Sequence, residues 1–177
     1  MIPPRGRSGV NRGKLTPDMA IRNPGDLPAL LRPGQRLLGL DLGTKTIGLA
    51  LSDPGLRVAS PIGTIRRTKF TADIGELATV IGERQVGGLV LGLPLNMDGS
   101  SGPAVQRVRQ FATLLLQQAE RLGGEPEIAF WDERLSTSAV TRLMIDADMT
   151  RKRRSEVVDR MAAAYILQGA LDALAHR

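Results

Sequence analysis

The spacing of hydrophobic residues changes along the chain, and the changes divide it into elements. From Met1 to about Pro33 no period holds, because Pro3, Pro4, Pro17, Pro24, Pro28 and Pro33 break every run, with room for one helical turn between Asp26 and Leu31. Folded structure is expected from about Arg36. RLLGLDL and KTIGLALSD, within Arg36 to Asp53, predict two strands joined at a tight Gly43-Thr44 turn. Val58 to Ile65 supplies a third strand after the Asp53-Pro54-Gly55 turn. The spacing then becomes helical from about Thr71 to Arg84, followed by the apolar run GGLVLGLPL. A second helix is expected from Pro103 to about Leu122, with Pro103 in its first turn and Ser100 or Ser101 as its cap. Pro126 to Asp132 reads as a fifth strand, and Ser136 to Met144 and Ser155 to Leu174 as two closing helices.

The order is a meander of three strands followed by alternating helix and strand. That predicts an α/β fold with a five-stranded mixed sheet, antiparallel in one part and parallel in the other, flanked by helices. Residues 36–177 would form this one domain and residues 1–35 a basic, Pro- and Gly-rich arm, since 177 residues suffice for one core. In such sheets function sits at the carboxyl ends of the parallel strands, here the loop Asn96-Met97-Asp98-Gly99 and the corner Asp132-Glu133-Arg134.

Composition narrows the chemistry. There is no cysteine, and His176 is the only histidine, so disulfides, thiolate catalysis, a Ser-His-Asp triad and a His-based zinc site are set aside. Catalysis would fall to carboxylates, amides, hydroxyls, Lys, Arg or bound metal. Aromatic residues are confined to Trp131, Tyr165 and three Phe, so the core is aliphatic and base stacking is not expected to dominate binding. The net charge of +6 is concentrated in the arm: Met1 to Arg36 holds seven Lys or Arg and two Asp, which leaves the domain near neutral. With neither a secretory stretch nor a transmembrane-length segment in view, a soluble cytoplasmic protein is expected.

Four acids stand out. Asp41 lies within LLGLDLG, where a carboxylate costs several kcal/mol unless it is paired, hydrogen-bonded or bound to metal. Asp132 and Glu133 are adjacent, and the period of two sends only one of them toward the side that Asp41 faces, without indicating which. The other would pair with Arg134 or cap the following helix. Asp159 borders the packed face of the closing helix, where Ala162-Ala163-Ala164 permits close approach to the sheet. A cluster of Asp41, Asp159 and one of Asp132 or Glu133 would need cations, and hard oxygen ligands open to phosphate select Mg²⁺ or Mn²⁺. Such ions would support in-line phosphodiester displacement.

The segments LGLDLGTKTIGLALSD, LVLGLPLNMDGSSGP, WDERLSTSAV and SEVVDRMAAAYILQ, in this order between Arg36 and about Asp172, resemble the successive signatures of the YqgF family, also called RuvX. The resemblance implies a ribonuclease H-like fold, a nuclease trimming the 5′ end of pre-16S ribosomal RNA, and junction resolution as a second activity. By motif position it implies that Asp41, Asp132, Glu133 and Asp159 are the family's catalytic and metal-binding acids. The long basic arm departs from the family's compact members.

Lys45, Arg134, Asn96 and the run Arg151-Lys152-Arg153-Arg154 are candidates for holding phosphate near those acids. The partner would be nucleic acid, either pre-rRNA or branched DNA, bound by a monomer or a homodimer. Two other functions fit parts of the pattern. A sugar kinase or ATPase shares the Asp-Leu-Gly-Thr turn, but those enzymes close two such lobes on ATP and this chain has length for one. A non-catalytic RNA-binding ribosome-assembly module would keep the fold and bind RNA without metal.

Overall fold

The computed structural model describes residues 21–135 and 151–176, the side chains of 151–160 excepted. Its strands are β1 (Ile21–Arg22), β2 (Arg36–Leu42), β3 (Thr46–Ser52), β4 (Ala59–Arg66), β5 (Val86–Leu93) and β6 (Glu127–Asp132). The helices are α1 (Leu27–Leu30), α2 (Phe70–Glu83), α3 (Pro103–Gln117) and α4 (Arg151–Ala175), with 3-10 turns at Pro24–Asp26 and Glu133–Leu135. The sheet order is β1-β6-β5-β2-β3-β4. β2, β3 and β4 are antiparallel neighbours, while β2, β5, β6 and β1 run parallel. This is the expected α/β arrangement, a mixed sheet of meander followed by crossover units.

The sheet has six strands rather than the expected five. Ile21–Arg22 pairs with the outer edge of β6, Arg22 Nε reaches Glu127 Oε2 at 2.7 Å, and Leu27 is fully buried. So short a strand leaves no periodicity in the sequence, because its pairing is supplied by an open sheet edge and one ion pair. Residues 1–20 of the arm and the helix expected at Ser136 to Met144 lie outside the described residues. The cap of α3 also differs from expectation: Gly102 occupies that position, and Ser100 is used in the preceding loop. Among the described residues no helix is long and apolar enough to cross a membrane.

The period of two gives the sheet unlike faces. Leu38 and Leu40 of β2, Ile47, Leu49 and Leu51 of β3 and Leu89, Leu91 and Leu93 of β5 form one core with Ile74 and Leu77 of α2 and Val108, Phe111 and Leu115 of α3. Most of the alternate positions are small, among them Gly39, Gly48, Ala50, Val90, Gly92 and Ala129. Against this second face lies α4, with Ala163, Ala164, Ile166, Leu167, Ala170 and Leu171 buried. Contact is tight at Gly39, where a Cβ would stand 2.7 Å from Leu167 Cβ and 2.9 Å from the Ala163 carbonyl oxygen. The alanine run therefore seats the helix close to the sheet, as expected from its residue sizes.

Two glycine substitutions should move stability in opposite directions. Gly39→Ala overpacks the α4 contact and should cost about 1–3 kcal/mol. Gly75→Ala, in α2 where a Cβ meets nothing within 4 Å, should stabilise by up to about 1 kcal/mol. Urea unfolding midpoints of the two variants measure both, and equal shifts of one sign would contradict the close seating of α4.

Candidate active site

Asp41 stands at the penultimate position of β2, half-buried, on the small-residue face that α4 covers. Its cross-strand partner is Gly48, where a Cβ would lie 3.4 Å from Asp41 Cβ and 3.5 Å from Ala163 Cβ. Two small side chains thus leave room around the carboxylate. Arg67 fixes the turn that follows: its Nη1 donates to the Gly43 carbonyl at 2.7 Å, and its backbone N–H to the Lys45 carbonyl at 2.9 Å.

The second acid comes from the end of β6. The chain leaves that strand through the 3-10 turn Glu133–Leu135, which brings the Glu133 side chain over Gly92 of β5. A Cβ on Gly92 would collide with a Glu133 carboxylate oxygen and with Ile166 Cδ1 of α4. Burial pushes the Glu133 carboxyl up to about 7, and the charges of Asp41 and then Asp132 add to the effect. The loss of hydration and the nearby negative charge both favour the protonated form. Asp41 and Glu133 are therefore electrostatically coupled in one half-buried place.

Asp132 is differently placed. Its Oδ2 accepts from Arg134 Nη2 at 2.6 Å, and its Oδ1 accepts from Arg134 Nε and backbone N–H, each at 3.0 Å. The guanidinium hydrogen bonds hold Asp132 below the usual carboxylate range. Arg134 also reaches the Asn96 and Met97 carbonyls at 3.5 and 3.4 Å, bridging the β6 corner to the loop after β5. That loop is closed upon itself: Asn96 Nδ2 donates to Ser100 Oγ at 2.8 Å, the Ser100 N–H to Asp98 Oδ1 at 2.9 Å, and Gly99 takes a φ of 85°. These bonds hold Asp98 below its ordinary value, the Ser100 side chain first.

Of the acids expected to converge, Asp41 and Glu133 meet, while Asp132 is committed to Arg134. Asp159 and the run Arg151 to Arg154 belong to the first turns of α4, and their side chains lie outside the described residues. Among the described residues no three His, Cys, Asp or Glu side chains cluster as a metal site. Asn96 and Arg134, expected to touch phosphate, spend bonds on the loop and the corner, and Lys45 is exposed on the β2–β3 turn. Trp131 packs against the α4 core. Gly92 and Arg67 escaped the sequence reading. A glycine inside a strand marks close approach of another group, so the run LVLGLPL carried a signal for Gly92. Nothing local distinguished Arg67 from its basic neighbours.

The family described as RuvX, Holliday junction resolvase, matches residues 35–173. A protein of Rhodospirillum centenum that carries the provisional name pre-16S rRNA nuclease is 69% identical over 156 residues, 88% of this chain and 83% of that protein. A protein of Paramagnetospirillum magneticum with the same provisional name is 62% identical over 154 residues, 87% of this chain and 96% of that one. Among solved structures, Thermus thermophilus RuvC in complex with a Holliday junction substrate is 13% identical with a TM-score of 0.44, covering 75% of this chain and 91% of that chain.

The raised carboxyl of Glu133 has a defined effect on stability. A carboxyl at about 7 in the folded state and near 4.5 when unfolded contributes stability fully below pH 4.5, and that contribution is lost as pH rises through 7. In chelator, wild type should therefore lose up to about 3 kcal/mol relative to Glu133→Gln between pH 5 and 8. Urea denaturation of both proteins across that range measures the difference, and parallel pH profiles would refute it.

Proposed function

Because the chain belongs to the RuvX family, we propose that it is a metal-dependent nuclease that hydrolyses phosphodiester bonds and trims the 5′ end of pre-16S rRNA. The observation that carries this reading is the coupled pair Asp41 and Glu133 at the carboxyl ends of β2 and β6. Two carboxylates of like charge, half-buried together, are stabilised by a cation, and their hard oxygens fit Mg²⁺ or Mn²⁺.

Glu133 rather than Asp132 is assigned to that ion, since Asp132 already neutralises Arg134. The register of α4 supports Asp159 as a third ligand. Leu167 and Ala163 lie over Gly39, and Ala163 lies beside Gly48 opposite Asp41, so the helix runs against the direction of β2. Asp159 precedes Ala163 by one turn, toward the end of the sheet where Asp41 stands. Asp41, Glu133 and Asp159 would hold the divalent ion, which when bound would supply activation of the attacking water and stabilisation of the leaving oxygen. Asp41, on a paired strand, holds its carboxylate at a fixed height above the sheet. Glu133, on a turn, can adjust its reach, and its raised affinity for a proton suits it to exchange one with solvent near neutral pH when no ion is bound. Asp132 and Arg134 position the turn and the Asn96–Gly99 loop that flank both.

The description of the family as Holliday junction resolvase favours a second substrate, a four-way DNA junction. Purified protein is incubated with a 5′-extended 16S rRNA precursor and with such a junction, in Mn²⁺, in Mg²⁺ and in chelator. Cleavage should require the metal and fall at least about a hundredfold in Asp41→Asn and Glu133→Gln, with a smaller loss in Asp132→Asn. The substrate that is cut decides between RNA and junction. RNA binding that survives chelator and Asp41→Asn, with neither substrate cut, would replace the nuclease with a non-catalytic assembly module.

A further inference from the structure

We infer that Lys45, Arg66, Arg67 and Lys69 form a phosphate-binding rim that holds the backbone of the substrate strand a few nucleotides from the bond that is cut. The inference rests on the nuclease reading for the position of that bond, and on separate observations for the rim itself.

The segment Ile65-Arg66-Arg67-Thr68-Lys69 leaves the end of β4 beside the β2–β3 turn. Ile65 is buried and anchors it, while Arg66 and Lys69 are exposed. Arg67 fastens it to the turn through the Gly43 and Lys45 carbonyls, so three cationic side chains project from a braced frame. The nearby acid is turned inward: Asp73 is buried and accepts from the Thr68 N–H at 3.0 Å. Among the described residues no carboxylate forms an ion pair with Lys45, Arg66 or Lys69. Nor do the Thr44 and Lys45 amides at the tip of the turn spend their protons on a hydrogen bond among the described residues. Exposed cations commonly hold only water, but here side-chain charges and open amides converge at the end of the sheet that carries Asp41.

Register gives the spacing. Asp41 faces Gly48, and Arg66 faces Thr46, two residues before Gly48 in β3. Two inter-strand steps and two residues of rise separate Arg66 from Asp41 by about 12 Å. Along one strand that distance spans a few nucleotides. No aromatic residue lies in the 65–69 segment or the turn, so the rim fits the backbone rather than the bases.

The test uses the full chain and a 5′-extended single-stranded RNA from the 16S precursor. Binding is followed by fluorescence anisotropy in chelator across a salt series, and cleavage separately in Mn²⁺. The triple variant K45Q/R66Q/K69Q should lower the slope of log affinity against log salt by about 2, at about 0.7 per phosphate lost. Its KM should rise severalfold, by more than kcat falls. The control R32Q/R57Q/R84Q removes the same charge from exposed positions at the opposite end of the sheet and should keep the wild-type slope. Thermal unfolding of each variant reports folding. An unchanged slope in the triple variant, or an equal fall in the control, overturns the rim. Cleavage with an unchanged slope removes the rim and keeps the nuclease, whereas a lowered slope without cleavage by wild type keeps the rim and removes the nuclease.

Discussion

The close contact of α4 with the glycine- and alanine-lined face of the sheet is the constraint on which the rest of the structure depends. The opposite face is filled with Leu and Ile and is covered by α2 and α3 in the ordinary way. On the α4 side, Gly39 and Gly48 bring the helix backbone almost onto the strands. Asp41 shares that face, so the same packing that excludes water from Leu167 and Ala163 half-buries a carboxylate. Gly92 extends the arrangement to β5 and makes the space that Glu133 and Ile166 occupy. A bulkier residue would collide with the helix at Gly39, and with both the Glu133 carboxylate and Ile166 at Gly92.

Electrostatics then divides the three acids of the described site. Glu133 and Asp41 are brought together at a cost that burial and like charge make large, which is tolerable where a cation completes the arrangement. Asp132 takes the opposite course and is satisfied by Arg134 through several short hydrogen bonds. That pair also ties the β6 corner to the loop after β5, so one arginine helps to set the shape of both sides of the site. Adjacent residues in the sequence thus have unlike surroundings: one is paired with Arg134 and the other is held beside Asp41.

The nuclease reading joins these features to the family relationship, which covers nearly the whole of the domain. The enzyme so described would use no histidine or cysteine, only carboxylates held at the ends of parallel strands. Its grip on nucleic acid would be electrostatic, with cations on a rigid turn and few aromatic side chains to stack against bases. Recognition by backbone charge and shape agrees with a core built almost wholly from aliphatic residues.

The sequence by itself determined the meander, the helices that alternate with the later strands, and the acids Asp41, Asp132 and Glu133, because these follow from local periodicity and from the cost of charge in an apolar run. It also announced the close seating of α4 through three consecutive alanines. It left open which of Asp132 and Glu133 faces Asp41, since strand alternation ends at Asp132 and the following 3-10 turn redirects the next side chain. It missed β1, a strand made by an edge rather than by its own two residues, and it left open that Arg134 pairs with Asp132 and reaches the loop after β5, and that Asn96 closes that loop onto Ser100. Those outcomes belong to tertiary structure, because they depend on which groups from separate segments arrive within hydrogen-bond reach, and local spacing does not encode that.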